Sequence, residues 1–324
     1  MRRRAFLAGL GAACACAPMA RAQQRPVIGF LHAGSPAENV KRIDAFREGL
    51  RQTGFVEGRN LTIEYRWAQG RADRLEALAA DLVQRRVSLI ATPAVTVAAV
   101  AARKVTRDIP IVFAIGSDPV ALGLVASLSR PGGNATGVTS MNASLGAKRF
   151  ELAHELSPNA KRYITLINPT SPLGHTFLEG LQAGAAGRDV RLDVLRAQSQ
   201  KEIDAAFAGL PSVADSVFIS SPDALFYGLR ARIVALVTQL KLPSLFDVPE
   251  YVEDGGLASY GNDFIDAIRQ SGVYAGRILK GEKPQDLPVV QAEKFVLAIN
   301  LKTARTLGLE IPPDVLAAAS EVIE

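Results

Sequence analysis

Small hydrogen-bonding residues gather in the loops that follow the predicted β-strands, and these loops are where the sequence offers chemistry. Serine, threonine and asparagine supply hydroxyl and amide groups, aspartate supplies a charged acceptor, and histidine supplies ring nitrogens. Placed at helix N-termini, such groups suit a ligand that carries a carboxylate and an ammonium group. The candidate ligand-binding residues are His32, Ser35, Thr92, Thr96, Ser117, Asp118, Asn168, Ser171, Ser221, Asp223, Asp247 and Tyr260.

Acidic residues in these loops are the candidates for an ammonium partner, namely Asp118, Asp223, Asp247 and Glu250. Tyr260, which ends a predicted strand, is the predicted aromatic side chain of the site. Each Ser, Thr and Asp also has a structural interpretation, because these residues commonly cap helix N-termini. Asp118 and Asp223 are the most open to that alternative, since each stands beside a proline. The binding hypothesis therefore depends on the whole set.

Patterns typical of catalysis, metal binding or cofactor binding are absent. No Gly-x-Ser-x-Gly occurs, and His32, His154 and His175 are scattered without the spacing of metal ligands. The segment 276–281 resembles the start of a phosphate loop, but Glu282 replaces the lysine. No Gly-x-Gly-x-x-Gly follows a predicted strand. We therefore expect a binding protein without metal or cofactor. The alternative from another class is an exported α/β enzyme acting through His32 or Asp118.

An internal repeat positions these loops. The segment 27–36, an apolar run ending in Ser-Pro, is answered by the segment 163–172, which also ends in Ser-Pro. Phe-Arg-Glu-Gly-Leu at 46–50 is answered by Phe-Leu-Glu-Gly-Leu at 177–181. Because order and spacing are kept, the repeat predicts two copies of one αβ unit and two similar lobes.

Predicted strands alternate with predicted helices in both halves, which indicates parallel βαβ units. The expected fold is α/β, with two Rossmann-like lobes joined by a multi-strand hinge. In such sheets ligands bind beyond the carboxyl ends of the strands. The apolar spacing also predicts a helix over residues 119–128.

The expected domain boundaries follow from the repeat and from breaks in the pattern. Residues 23–138, together with about 286–324, are assigned to the N-terminal lobe, and residues 139–285 to the C-terminal lobe. The chain is expected to cross between the lobes near 136–142, 247–260 and 282–290.

The first 22 residues have the features of a signal peptide. Met1 and three arginines precede an apolar stretch, and Ala20-Arg21-Ala22 is a small-x-small cleavage pattern. The arginines also fit the twin-arginine export signal, although the general secretion route accepts the same residues. We expect cleavage near Ala22 and a periplasmic location. Acylation at Cys14 is a weaker alternative.

Composition limits the class of partner. The chain of 324 residues has 48% hydrophobic residues, which suits two globular domains. Four of the 37 basic residues and none of the 32 acidic residues lie in the signal peptide, so the rest carries a charge of about +1. Without a concentrated basic face, we expect no nucleic-acid partner. Both cysteines also lie in the signal peptide, so no disulfide is expected elsewhere.

The sequence resembles substrate-binding proteins of ABC importers that have the type I periplasmic-binding fold. The resemblance covers nearly the whole chain after residue 22 and favours the branch with tryptophan- and phenylalanine-binding members. The segments that carry it lie at residues 74–83, 109–120, 130–138, 146–149, 277–284 and 299–304.

The resemblance implies two lobes that close on a small solute, delivered to an ABC permease in the inner membrane. Similar amino-acid binders hold the carboxylate with hydroxyls and backbone N–H groups, which corresponds to Thr92 and Ser117. They hold the ammonium with an acid of the second lobe, which corresponds to Asp247. An aromatic amino acid is the expected solute, and the protein is expected to be monomeric. A periplasmic sensor subunit that binds the same kind of solute is the other alternative.

Overall fold

The computed structural model describes residues 25–324, so the predicted signal peptide and both cysteines lie outside the described residues. The described chain forms two α/β lobes, each built on one sheet. The strands are β1 (Val27–His32), β2 (Thr62–Trp67), β3 (Leu89–Pro93), β4 (Ile111–Ile115), β5 (Ala135–Thr139), β6 (Arg162–Ile167), β7 (Arg191–Arg196), β8 (Ser216–Ser220), β9 (Ser244–Phe246), β10 (Ala258–Asn262), β11 (Val290–Gln291), β12 (Phe295–Asn300) and β13 (Glu321–Ile323).

Helices cover both faces of each sheet. They are α1 (Val40–Gln52), α2 (Leu75–Gln84), α3 (Thr96–Val105), α4 (Gly146–Leu156), α5 (Pro172–Ala185), α6 (Gln200–Ala208), α7 (Ala224–Gly228), α8 (Arg230–Gln239), α9 (Glu250–Glu253), α10 (Phe264–Leu279), α11 (Leu301–Leu307) and α12 (Pro313–Ala317). Among the helices of residues 25–324, none has the length and apolar character needed to cross a bilayer.

The first lobe contains a parallel sheet with the strand order β11-β5-β4-β3-β1-β2. The central strands β3 and β4 are buried on both faces, which explains why they consist mostly of apolar residues. One face packs against α2 and α3, and the other packs against α1 and α10.

The second lobe repeats this arrangement. Its parallel strands follow the order β7-β6-β8-β9-β10, which matches β2-β1-β3-β4-β5 of the first lobe. The two-lobed α/β fold predicted from the internal repeat is therefore confirmed.

The repeated Phe-x-Glu-Gly-Leu segments have the same structural role in both lobes. Gly49 lies in α1 where α10 crosses it, and an added Cβ would lie 1.9 Å from the carbonyl oxygen of Arg269. Gly180 lies in α5 where α4 crosses it, and an added Cβ would lie 3.0 Å from the Cα of Gly146. Each lobe thus uses a glycine to let two helices approach at backbone distance.

The chain passes between the lobes at three places, after β5, after β10 and after β11. Helix α10 and β11 belong to the first lobe, whereas β12 and β13 complete the second sheet. Our assignment of residues 286–324 to the N-terminal lobe is therefore wrong beyond β11, and our assignment of residues 139–285 to the C-terminal lobe is wrong for α10. The reason is that β12 pairs antiparallel with β10, with Tyr260 opposite Leu297.

The second and third crossings lie later in the chain than predicted, between β10 and α10 and between β11 and β12. Hydrogen bonds join them at the hinge, where the Asn262 side chain donates to the Ala292 carbonyl at 2.9 Å. The helix predicted over 119–128 is also absent from the described structure, which has turns there. Gly123 adopts a left-handed conformation, with φ of 66°, that ends any helix at this point.

Candidate functional site

A cavity of about 680 Å³ lies between the two lobes, at the carboxyl ends of both parallel sheets. In the first lobe its walls are the loops after β1 and β2 and the first turn of α3. In the second lobe they are the loops after β6, β7 and β8. Of the predicted site residues, those on the walls are Ser35, Asn168, Ser171 and Asp223. The repeat therefore brings corresponding loops of the two lobes face to face.

Three hydroxyl side chains at the strand ends of the first lobe are buried without a hydrogen-bond partner among residues 25–324. They belong to Thr92, Thr96 and Ser117. A buried hydroxyl that lacks a partner costs about 1–3 kcal/mol, so such groups are rare in interiors. None of the three caps a helix through its side chain, although capping is the structural alternative for each.

The loop between β3 and α3 holds Thr92 and Thr96 in place through an unusual backbone conformation. Ala94 has a φ of 68°, in the left-handed region that residues with a Cβ seldom adopt. Helix α3 begins directly afterwards, and no side chain caps its N-terminus. The positive end of its dipole thus lies beside the cavity, where Val97 forms part of the wall.

His32, the last residue of β1, is buried against Trp67, with the ring centroids 4.9 Å apart. Its Nδ1 accepts a hydrogen bond from the Gly34 N–H at 2.9 Å. Burial and the nearby Arg42 lower the pKa of His32 to about 3, so the ring is neutral at pH 7. In a neutral ring whose Nδ1 accepts, Nε2 carries the proton, and this donor is buried without a partner among residues 25–324.

Asp247 follows β9 directly and is a buried acid of the second lobe, with only 8% of its surface exposed. Burial raises its pKa to about 6, although Arg149 and Arg42 favour the charged form. One oxygen accepts a hydrogen bond of 3.4 Å from the Asn142 side chain. In the ligand-free protein the carboxylate is therefore poorly solvated, and a cation beside it would stabilise its charge.

The remaining polar residues of the second lobe form a hydrogen-bonded group. The Asn168 side-chain amide donates to the Asp223 carboxylate at 3.3 Å. Asp223 caps α7 by accepting from the Leu225 N–H at 2.8 Å. Burial raises the pKa of Asp223. Ser221 lies deeper, and its hydroxyl is buried without a partner among the described residues.

Two predicted site residues lie elsewhere. Asp118 is exposed and accepts from the Val120 N–H at 2.8 Å, so it caps a turn as the structural alternative proposes. The ring of Tyr260 stacks on Phe295 at 5.8 Å, and its carbonyl accepts from Arg149 at the hinge. The position of Tyr260 is set by the pairing of β10 with β12, which the sequence prediction did not include.

The site also includes residues that the sequence analysis did not select. The chief one is Arg42 in the first turn of α1, 5% exposed, whose guanidinium carbon lies 3.3 Å from the ring centroid of Tyr227 in the second lobe. Asn39, one turn earlier, is also buried. The sequence could have indicated their burial, because residues 39, 42 and 46 are spaced three and four apart and so lie on the same face of α1.

Two tyrosine hydroxyls of the second lobe lie near the stack of Arg42 on Tyr227. The Tyr227 hydroxyl donates to Glu250 at 3.1 Å. The Tyr251 hydroxyl is buried without a partner among residues 25–324, and burial raises its pKa. Beside the cavity, Arg42 of the first lobe thus lies near His32 of its own lobe and near the buried Asp247 and Tyr251 of the second. Such a set can bind a small zwitterion and contains no nucleophile–base pair for catalysis.

This chain is similar in sequence to a family of transport proteins and to one of its characterised relatives. A sequence model of the family described as ABC transporter substrate binding protein matches residues 32–323. A tyrosine-binding protein of Clostridioides difficile is 27% identical over 265 residues, which cover 82% of this chain and 76% of that protein.

Two solved structures are similar over the whole fold. A conserved domain protein from Vibrio cholerae superposes with a TM-score of 0.84 and 29% identity, covering 92% of this chain and 100% of the other. An ABC domain from Streptococcus pneumoniae in complex with L-Trp superposes with a TM-score of 0.81 and 26% identity, with the same coverage.

Proposed function

The chain belongs to the family of ABC transporter substrate-binding proteins, and we propose that the solute it carries is an aromatic amino acid. Members of this family bind a small molecule and work with an ABC permease, and they are binding proteins rather than enzymes. The names of two relatives support the proposed solute, because one is called tyrosine-binding and another was solved with L-Trp.

The observation that carries this proposal is the set of buried polar atoms without partners at the strand ends of both lobes. Thr92, Thr96, Ser117 and the Nε2 of His32 come from the first lobe, and Ser221 comes from the second. Buried polar atoms are seldom left unpaired, and a ligand bound at this edge of the two sheets would complete the hydrogen bonds of these groups. Hydroxyls and the N-terminus of α3 suit a carboxylate.

Asp247 is the proposed partner of the ammonium group. It is buried on the opposite lobe from Thr92 and Ser117, so one amino acid can join the two lobes through its two charged ends. The adjoining cavity of about 680 Å³ exceeds the volume of any amino-acid side chain and accommodates an aromatic ring.

The place of action is also part of the proposal. Export by the predicted signal peptide would put the mature protein in the periplasm, where it would deliver its solute as a monomer to a permease in the inner membrane. N-terminal sequencing of the exported protein should find a start at or near Gln23. A retained leader or an acylated Cys14 would contradict this location.

Binding and closure can be tested together on the purified protein. Isothermal titration with L-tryptophan, L-tyrosine and L-phenylalanine should give one site per chain. Small-angle scattering should report a smaller radius of gyration at saturation, because the ligand joins the lobes. If none of the three binds while another solute is identified by mass spectrometry of the purified protein, the aromatic assignment is wrong.

A further inference from the structure

We propose that Arg42 recognises the carboxylate of the solute and, through its stack on Tyr227, links carboxylate capture to contact between the lobes. This inference deepens the proposed function, since it assumes that the solute binds in the interlobe site. It adds a charged anchor on α1 to the hydroxyls of Thr92 and Ser117.

The first support is that Arg42 is a buried cation that no acid among residues 25–324 approaches to ion-pair distance. Arg42 is 5% exposed, yet it makes no hydrogen bond and no ion pair within residues 25–324, and its Nε is buried without a partner. A guanidinium carries five N–H donors in a planar arrangement that matches a carboxylate. An unpaired charge is costly to bury, so this side chain requires an acceptor.

Arg149 provides a comparison within the same protein. It is fully buried, but its Nε donates to the Tyr260 carbonyl at 2.7 Å, and its other nitrogens donate to Asn142. This structural arginine has its partners from the hinge itself. Arg42 instead stacks on aromatic faces, with its guanidinium carbon 3.3 Å from the ring centroid of Tyr227 and 5.6 Å from that of Phe264. Those faces orient the guanidinium and leave its in-plane donors for a ligand.

The second support is the location of Arg42 between the lobes. It lies close enough to His32 of the first lobe and to Asp247 and Tyr251 of the second to affect the pKa of all three. Arg42 and Asp247 are thus a cation and an acid supplied from opposite lobes. A zwitterion placed between them satisfies both charges, whereas a neutral sugar would leave the arginine unpaired.

The third support is that the first turn of α1 and the turn just before it contact the second lobe. The Lys41 ammonium pairs with Glu253 at 2.6 Å. The carboxylate of Glu38 lies beside Gly228, where an added Cβ would approach it to 3.0 Å. A carboxylate held by Arg42 would therefore orient the helix face that meets the second lobe.

The test compares an acid with its amide. Affinities of wild type and Arg42→Met for L-tryptophan and L-tryptophan amide are measured by titration calorimetry, with Arg51→Met as control. Arg51 is an exposed arginine on the same helix, paired with Glu48. Wild type should prefer the acid, and Arg42→Met should bind the acid about 100-fold more weakly while the amide is nearly unaffected. Arg51→Met should match wild type.

A purely structural role would produce a different result, because loss of packing lowers the affinity for acid and amide alike. An unchanged acid-to-amide ratio in Arg42→Met therefore overturns the inference. If Arg42→Met does not fold, Arg42→Lys decides, since a point charge should retain only part of the preference for the acid.

A separate experiment shows whether the aromatic solute assignment is wrong. A thermal-shift screen of the twenty amino acids identifies any other that stabilises wild type, and the acid–amide comparison is repeated with it. A ratio that depends on Arg42 then supports the inference although the aromatic assignment is wrong. Binding confined to solutes without a carboxylate overturns it.

Discussion

Replacing Asp247 by asparagine should make the ligand-free protein more stable and the binding site worse. The carboxyl group is buried, and its pKa is raised from 3.8 to about 6 because desolvation outweighs the attraction of Arg149 and Arg42. Each pKa unit corresponds to about 1.4 kcal/mol, so the ionised group costs about 3 kcal/mol of stability at neutral pH. Asparagine keeps the shape and removes the charge.

The sign of the pH dependence follows from the raised pKa. The folded state holds the proton of Asp247 more tightly than the unfolded state, so the cost is absent well below pH 3.8 and complete above about pH 6. In urea unfolding of ligand-free protein, Asp247→Asn should exceed wild type by about 3 kcal/mol at pH 7.5, and by roughly half of that at pH 5.

The matched control is Asp189→Asn, the same chemical change at an exposed position, which should alter the free energy of unfolding little at either pH. Binding provides the second assay. Asp247→Asn should bind L-tryptophan about 100-fold more weakly but leave binding of indole-3-propionate, which lacks the ammonium, nearly unchanged. An asparagine variant that is less stable at pH 7.5, or that binds L-tryptophan as wild type does, would refute the reasoning.

Three further results are expected. Wild-type affinity for L-tryptophan should fall below pH 6, approaching tenfold per pH unit, and titrations of Asp247→Asn should lack this dependence. Thr92→Val should keep or raise the thermal midpoint while weakening binding, because its hydroxyl is unpaired, whereas Thr165→Val should lower the midpoint by removing a 2.8 Å hydrogen bond. Gly49→Ala should cost at least about 2 kcal/mol in urea unfolding, and Gly209→Ala, with its nearest neighbour at 3.4 Å, should cost little.

Some site residues could be predicted from the local sequence pattern, and others could not. Ser117, Ser221 and Asp247 could be selected because each follows a recognisable apolar strand, and Thr92 because it lies near the end of one. The carboxyl ends of parallel strands share one edge. Arg42 could not be selected with the same reasoning, since a lone arginine on an amphipathic helix normally lies in solvent.

The wrong predictions for Tyr260 and for the C-terminal residues have one cause. Residues 295–300 have the same apolar pattern whether they join the first sheet or the second, and only the antiparallel pairing with β10 distinguishes these cases. Because of that pairing, Tyr260 lies at the hinge and the C-terminal residues belong to the second lobe. Strand patterns record which face is buried, but not the strand that lies alongside.

The amino-acid sequence by itself determined that two related αβ units stand in series, with small polar residues after their strands. Local periodicity and the repeated Phe-x-Glu-Gly-Leu segments carry this information, because burial and helix crossing act over a few residues. Only the tertiary structure decided that Arg42 of one lobe meets Tyr227 of the other beside Asp247. That meeting depends on three chain crossings and on packing between residues nearly two hundred positions apart, for which no local pattern exists.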